Sequence, residues 1–294
     1  MPTFTERLNL PGVLVADGAT GTMLQRAGLP VGTSPVSWNL GNPEAVQALH
    51  RRYLDAGSDI VLTNTFGGNW PKLDAEGLGM QVAEVNGAAA RLARMAAGNH
   101  ALVFGDMGPT GKLLDPLGPL SYAEAVSIYA EQALALAGGG VNAIFIETMS
   151  DLNEAKAAVE GARRATRLPI LVSMSFDTRG RTMMGVKPAL AARELWCMGV
   201  AAVGANCGRT LSETLEAIQA MRQAVPDAVL IAKPNAGLPH LAEGGESVYD
   251  VTPEVMADYA LKFYALGVKV FGGCCGSTPD HIRAIALTLH AMAH

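Results

Sequence analysis

The chain lacks both a strong charge of one sign and a long uninterrupted apolar run. Its net charge is −5 and its basic residues are scattered, so the sequence predicts no electrostatic surface for nucleic acid. Residues 1–9 include Glu6 and Arg7 and lack the apolar segment of a secretory signal, and no later stretch has the apolar length of a membrane span. These absences predict a cytoplasmic protein, in a reducing compartment, with a small-molecule ligand.

Cysteine is also scarce, yet three of the four cysteines lie beside glycines at the ends of short apolar runs. Cys207 lies in a Gly-Ala-Asn-Cys-Gly segment, and Cys274 and Cys275 lie in a Gly-Gly-Cys-Cys-Gly segment. This arrangement is expected of a three-thiolate metal site, for which Zn²⁺ is the natural occupant. Zinc held by three protein ligands keeps a fourth position open, and open zinc sites carry out chemistry.

Two other interpretations of these cysteines fit the sequence less well. A disulfide between neighbouring residues conflicts with the separation that a relaxed bridge requires. A lone buried cysteine is often an inert small hydrophobic residue, which suits Cys197 in its Leu-Trp-Cys-Met setting. Because adjacent strand residues point to opposite faces, Cys274 and Cys275 can meet one ion only where a strand ends or bulges, and flanking glycines permit such a distortion.

Short runs rich in Val, Ile, Leu and Ala alternate along the whole chain with longer helix-like segments. Capping side chains precede several of these segments, at Asn42, Ser121, Asp151, Ser212 and Thr278. The alternation predicts a (β/α)8 TIM barrel in one domain over residues 1–294. The predicted strands are 13–17, 59–63, 101–105, 143–147, 170–175, 201–206, 228–233 and 268–272, and the predicted helices are 43–56, 81–97, 122–137, 151–165, 189–198, 211–224, 252–265 and 279–293.

A doubly wound open sheet is the competing architecture. Its phosphate-binding fingerprint is missing, because no Gly-x-Gly-x-x-Gly follows the first predicted strand. In a parallel barrel, functional groups gather where the strands end, on the C-terminal face. Strands six and eight therefore deliver Cys207, Cys274 and Cys275 to one rim. Asp106, after strand three, and Asn206, at the end of strand six, line the same predicted rim, where they either shape the loops or contact a substrate.

An ordered set of motifs runs along nearly the whole chain. The motifs are at residues 16–22 (Ala-Asp-Gly-Ala-Thr-Gly-Thr), 63–66 (Thr-Asn-Thr-Phe), 108–111 (Gly-Pro-Thr-Gly), 147–148 (Glu-Thr), 204–207 (Gly-Ala-Asn-Cys) and 272–276 (Gly-Gly-Cys-Cys-Gly). This set resembles the homocysteine S-methyltransferases, a family that includes betaine–homocysteine methyltransferase and the homocysteine-binding module of cobalamin-dependent methionine synthase. Segment 174–186 is especially similar to short bacterial members. The resemblance implies a (β/α)8 barrel with one catalytic zinc bound by Cys207, Cys274 and Cys275.

The resemblance also implies substrate residues. Asp17 and Glu147 correspond to positions that recognise the homocysteine amino group, and the backbone amides of Gly18, Ala19 and Thr20 are candidates to receive its carboxylate. The alternatives are a turn stabilised by Asp17 and a salt bridge of Glu147 at the barrel rim. Asn235 corresponds to a displaceable fourth zinc ligand, although its Asn-Ala-Gly context is equally typical of a turn.

The function implied is a zinc-dependent methyltransferase that methylates the homocysteine thiolate to give methionine. Its predicted donor is betaine or a related methylated compound. Quaternary ammonium groups favour aromatic faces, yet aromatic residues are only 5% of the chain. Vertebrate betaine enzymes carry tyrosines where this chain has Gly67 and Thr148. The aromatic candidates are Trp38, Phe66, Trp70 and Phe176.

Two alternatives remain open at this stage. The chain has no Asp-x-His-x-x-Gly cobalamin signature, so methylcobalamin, if it is the donor, would arrive on a separate corrinoid protein. A function of another class is a non-catalytic zinc- and thiol-binding module.

Overall fold

Eight parallel strands close into a barrel in the computed structural model, which describes residues 3–241 and 247–292. The predicted (β/α)8 fold is confirmed, with strands β1 (Leu14–Val15), β2 (Ile60–Leu62), β3 (Leu102–Met107), β4 (Ala143–Met149), β5 (Ile170–Met174), β6 (Ala202–Cys207), β7 (Leu230–Pro234) and β10 (Val268–Phe271). The order around the barrel is β1-β10-β7-β6-β5-β4-β3-β2. A parallel bridge between Ala16 and Ile60 joins the two ends of the sheet.

Helices cover the outside of the barrel, and short helices occupy segments that the sequence pattern assigned to loops. A small antiparallel hairpin, β8 (His240–Leu241) with β9 (Ser247–Val248), follows β7. Among the residues described, none of the helices combines the length and apolar character needed to cross a bilayer. The helices are α1 (Phe4–Leu8), α2 (Gly21–Arg26), α3 (Trp38–Gly41), α4 (Pro43–Asp55), α5 (Trp70–Asp74), α6 (Val82–Ala97), α7 (Tyr122–Gly138), α8 (Leu152–Ala165), α9 (Pro188–Cys197), α10 (Leu211–Ala224), α11 (Pro253–Ala265) and α12 (Pro279–Ala291).

Capping side chains start most of the long helices where the sequence predicted them. Asn42 and Asp151 accept hydrogen bonds from first-turn amides, and Ser121 forms a reciprocal capping box with Glu124. Helix α10 differs, because Thr210 accepts the hydrogen bond from the Glu213 amide at 3.1 Å. The prediction of Ser212 as the cap is wrong, since this residue lies inside the helix.

The core has two layers, one inside the barrel and one between the strands and the helices. Inward-facing Leu62, Phe104, Phe145 and Ile231 are buried in the inner layer. Helix α1 adds Phe4 to it, with the Phe4 ring 5.0 Å edge-on from the ring of Phe104. The barrel interior below the strand ends is therefore filled with apolar side chains, which confines polar chemistry to the C-terminal rim.

His50 on α4 makes the stability of the fold depend on pH. Its side chain is buried, and burial lowers the pKa from 6.5 to about 4. Between these values the unfolded chain binds a proton at His50 while the native state does not, so stability falls as pH falls through this range. At about 1.4 kcal/mol per pKa unit, we expect a loss of roughly 3 kcal/mol from pH 6.5 to pH 4 that His50→Gln removes.

Denaturant unfolding of the metal-free wild type and His50→Gln at pH 7 and pH 4.5 measures this difference. Stripping the metal from both proteins removes proton-linked metal release from the comparison. Equal losses of stability on acidification in the two proteins would contradict the assignment to His50.

Candidate metal and substrate site

The ends of β6 and β10 bring three cysteines together on the C-terminal face of the barrel. Cys207 is the last residue of β6, whereas β10 ends at Phe271 and is followed by the turn that contains Cys274 and Cys275. The three Sγ atoms all lie within 4.8 Å of one another. The predicted convergence is confirmed, and its reason is the one expected: the two neighbouring cysteines lie past the strand end, where the alternation of faces no longer applies.

Unusual backbone conformations support this cluster. Cys207 has a φ of +60°, a region that few non-glycine residues adopt. Gly276, just after Cys275, has a φ of +77°, and a Cβ atom there would overlap the ring of Tyr249. Both observations show a local backbone held in place by its surroundings, as is common at functional sites.

Asn235 connects the two halves of the cysteine cluster. It follows β7, the strand between β6 and β10. Its Nδ2 group donates to Cys207 Sγ at 3.4 Å and to the Gly208 carbonyl at 2.8 Å, and its Oδ1 accepts from the Cys275 amide at 3.0 Å. The side chain therefore orients the cysteines, and its role as a displaceable fourth ligand stays a prediction.

Asn206 is a second residue that supports the cysteine cluster. The sequence left two roles open for it, shaping the loops or contacting a substrate. Its Oδ1 accepts from the Thr148 amide at 2.8 Å and from Ser173 Oγ at 2.6 Å, and its Nδ2 lies 3.8 Å from Cys274 Sγ. Thr148 has a φ of +61° at an irregularity of β4 between Ile146 and Met149. Asn206 thus shapes the rim, holding this strained residue beside the cysteine cluster.

The three thiols do not ionise independently. The pKa of Cys207 is lowered to about 3, because Cys274 and Cys275 donate hydrogen bonds to its sulfur and Asn235 donates another. The same contacts raise the pKa values of Cys274 and Cys275, and burial next to a Cys207 thiolate raises them further. Three thiolates at this spacing need a cation, so the donor set fits a metal ion.

Four charged residues lie buried near the cysteines, each at or near the end of a strand. They are Asp17, Asp106, Glu147 and Lys233, with exposed fractions between 1% and 8%. Burial raises the pKa of Glu147 to about 8 and, together with the charge of Glu147, raises the pKa of Asp106 well above its usual range. Lys233 was not among the predicted site residues, although a lysine two residues after the inward-facing Ile231 in an apolar strand was an available signal.

Each carboxylate oxygen of Asp17 has a partner within the protein and can still accept a further hydrogen bond. Lys233 Nζ lies 3.1 Å from its Oδ1, and the Leu62 amide donates to its Oδ2 at 2.8 Å. In the loop that follows, the Ala19 amide donates to the Ser277 carbonyl at 3.0 Å. Of the three predicted carboxylate donors, the amides of Gly18 and Thr20 remain as candidates.

A pocket of about 500 Å³ opens above these groups. Its lining includes the three clustered cysteines, Asp106, Glu147 and Lys233, and the loop from Gly18 to Thr22. Among its described lining residues, Phe66 is the aromatic one. A ligand in the described part of this pocket therefore has the ring of Phe66 within reach.

The other aromatic candidates lie away from the pocket. Trp70 borders a separate surface groove, Phe176 is buried in the core, and Trp38 packs against that core. Cys197 also lies apart from the cluster, at the end of α9, and it is exposed. The prediction that Cys197 is a packing cysteine is wrong, because the last turn of α9 turns this side chain to solvent.

Fold and site together define a (β/α)8 barrel that carries a metal-competent thiol cluster at the C-terminal ends of its strands. The sequence profile of the homocysteine S-methyltransferase family matches residues 14–289, so the chain belongs to that family.

Individual relatives are consistent with this assignment. The chain is 35% identical to methionine synthase of Mycobacterium leprae and 36% identical to that of Mycobacterium tuberculosis, over 93% of its own length. It spans about a quarter, 24%, of each of those relatives. The metallated form of the Escherichia coli homocysteine methyltransferase MmuM has a TM-score of 0.79 and 24% identity, covering 94% of this chain and 96% of that structure. This likeness supports the fold.

Removal of one clustered sulfur tests the metal site. We expect wild-type protein to retain about one zinc ion per chain and Cys207→Ser to retain almost none, because structural and catalytic zinc sites use at least three protein ligands. Cys197→Ser is the matched control, since this cysteine is exposed and remote from the cluster. Metal analysis after dialysis gives the result, and equal zinc content in all three proteins would contradict the site.

Proposed function

We propose that the protein is a zinc-dependent homocysteine S-methyltransferase that forms methionine, with residues 1–294 as one homocysteine-binding barrel domain. The observation that carries this proposal is the convergence of Cys207, Cys274 and Cys275 within 4.8 Å in a pocket lined by buried carboxylates. Family membership supports the acceptor, homocysteine, and the pocket offers groups for both of its ends.

Zinc fits the three cysteines by number and by donor type. When bound, it supplies an open position in which an entering thiol ionises and becomes a nucleophile. The chain's own part is orientation: Asn235 holds Cys207 and the Cys275 backbone, and Asn206 reaches Cys274. Outer hydrogen bonds of this kind hold metal ligands in position.

Capture of the amino acid depends on groups beside the cysteines. In this proposal Glu147 and Asp17 recognise the ammonium group, and the Gly18, Ala19 and Thr20 loop serves the carboxylate through the amides of Gly18 and Thr20. The homocysteine sulfur then attacks the donor methyl carbon in line, the bond from that carbon to the donor breaks, and the donor leaves with the electron pair. Holding both ends of the substrate sets the sulfur in place for this displacement.

The donor we propose is betaine or a related small methylated cation. Phe66 lines the pocket and is 39% exposed, so its face is accessible to an onium methyl group. The pocket volume of about 500 Å³ suits two small reactants.

A methylcobalamin donor is the second candidate. The methionine synthase relatives favour this donor. The chain spans only 24% of each, so the remaining length of such a protein has room for the binding site of a second substrate. In that case a separate corrinoid protein would deliver the methyl group to this face of the barrel.

Methionine formation tests the proposal directly. Zinc-loaded protein is incubated with homocysteine and, in separate reactions, betaine, S-methylmethionine or methylcobalamin, and methionine is measured by mass spectrometry. We expect product with a small onium donor and none from Cys207→Ser, because that variant lacks one zinc ligand. Product with methylcobalamin alone would favour the corrinoid alternative, and no product with any donor would favour a binding module.

Phe66→Ala tests the donor side of the pocket. We expect the KM for the onium donor to rise roughly tenfold. A cation–π contact with a partly exposed ring contributes about 1–2 kcal/mol, and about 1.4 kcal/mol corresponds to a factor of ten. Homocysteine affinity should change little, because the cysteines and carboxylates remain. Trp70→Ala is the matched control in a different groove. An unchanged donor KM in Phe66→Ala would contradict the proposed role of the ring.

A further inference from the structure

The Gly-Pro-Thr-Gly segment that follows β3, residues 108–111, is firmly anchored to the body of the barrel. The amide and the Oγ1 hydroxyl of Thr110 both donate to Glu154 Oε1, at 2.8 and 2.6 Å, and the Tyr129 hydroxyl donates to the same oxygen at 2.9 Å. Thr110 and Glu154 are both buried. Hydrogen bonds to a buried carboxylate are strong, so this segment offers a fixed support to the side chains that lie on it.

Phe66 lies on one end of this segment. The Gly108 amide donates to the Phe66 carbonyl at 3.1 Å, and a Cβ atom on Gly108 would lie 2.6 Å from carbon atoms of the Phe66 ring. Only glycine leaves room for the ring at this distance. The position of the ring beside the pocket is therefore set by the backbone beneath it.

Lys72 lies on the other end of the segment. A Cβ atom on Gly111 would lie 2.8 Å from Lys72 Nζ, and Gly111 has a φ of +75°. The buried side chain of Asn69 ties the two together, because its Nδ2 donates to the carbonyls of Gly108 and Pro109, each at 3.3 Å, and its Oδ1 accepts from the Lys72 amide at 3.3 Å. One segment thus supports an aromatic ring and an ammonium group that both line the pocket.

The Lys72 ammonium is not neutralised by the described part of the protein. The salt bridges within residues 3–241 and 247–292 do not include Lys72. Glu76 lines the same pocket four residues further along the chain but does not pair with it. Lys72 is exposed, so an anion can reach its charge without displacing an internal partner.

We infer that Phe66 and Lys72 form a two-point site for the methyl donor, in which the ring receives the onium group and the Lys72 ammonium receives a carboxylate of the same molecule. This inference rests on the proposed function, because it takes a small onium compound as the donor. Lys72 is then a specificity-determining residue. The site selects onium carboxylates as a class, and it disfavours onium compounds that have no acidic group.

Betaine and choline are the ligands that test this role, because both have a trimethylammonium group and only betaine has a carboxylate. Calorimetry on the zinc-loaded protein gives the Kd of each ligand. L-Norvaline, which has a methyl group in place of the homocysteine thiol, fills the amino-acid site and prevents turnover. We expect wild-type protein to bind betaine roughly threefold to tenfold more tightly than choline, between the effects of an exposed ion pair and of a charged hydrogen bond.

Substitutions at Lys72 should change this preference in a defined order. Lys72→Met removes the charge and keeps an unbranched side chain, so the preference for betaine should disappear, whereas Lys72→Arg should keep it. Lys72→Glu should reverse it, so that choline binds more tightly. No preference in the wild type, or an unchanged preference in Lys72→Met, would overturn the inference. Equal weakening of both ligands in Lys72→Met would indicate a structural role and would also refute it.

Lys112→Met is the matched control. Lys112 is exposed and directly follows Gly111, but it is not among the described residues that line the pocket. Its substitution should leave the preference for betaine unchanged, and a loss as large as that in Lys72→Met would assign the effect to general surface charge instead.

Glu76→Gln examines the neighbouring acid. The preference for betaine should be kept or strengthened in this variant, because a carboxylate near Lys72 repels the carboxylate of the donor. Loss of the preference would contradict the assignment to Lys72.

Turnover in the same proteins separates this inference from the proposed function. If Lys72→Met loses the preference for betaine but no donor yields methionine from homocysteine, the proposed function fails and the two-point site stands. If methionine forms from betaine and Lys72→Met keeps the preference, the two-point site fails and the proposed function stands.

Discussion

The parallel closure of the barrel is the constraint on which the site depends. Hydrogen bonding sets β7 between β6 and β10, so the strand ends that carry Cys207 and the Cys274–Cys275 turn are held one strand apart. Asn235 follows the strand between them and hydrogen bonds to both sides. Sulfurs that are far apart in sequence thus meet with a fixed geometry, which favours metal binding because the ligands need little rearrangement.

Charge compensation is the second principle of the site. Three thiols and three carboxyl groups lie in or beside one pocket, and Lys233 is the buried cation that lies next to them in the described chain. Asp17 takes that cation, which leaves the thiols and the Asp106 and Glu147 carboxyl groups to be neutralised from outside. A metal ion and an ammonium group are the two kinds of cation that these donor types select. Burial is the largest cause of the raised pKa values of Asp106 and Glu147, and nearby negative charges raise them further.

The two sides of the pocket differ in how firmly their residues are held. The side beside the cysteines has buried charges and the strained residues Thr148 and Cys207, each held by several contacts. The side around Phe66 consists of loop residues. A preorganised side binds one ligand selectively, whereas an open side admits more than one. The structured side is the one proposed for homocysteine, and the open side is the one proposed for the methyl donor.

Much of this was determined by the sequence itself. Alternating short apolar runs and helix-like segments determined the barrel, and glycines beside Cys207, Cys274 and Cys275 indicated the metal cluster, since both signals are local and repeat at known spacings. The short helices α1, α2, α3 and α5 and the exposure of Cys197 could not be predicted in this way, because packing against neighbours decides them. The Thr210 cap was available from the sequence, because Thr210 precedes Glu213 by three residues at a helix start. Only the tertiary structure decided which carboxyl groups are paired. Lys233 lies 216 positions from Asp17 and pairs with it, whereas in the described part of the chain Asp106 Oδ1 and Glu147 Oε2 have no hydrogen-bond partner. Two charges pair only when they lie close in space, and closure of the barrel brings Asp17 and Lys233 together.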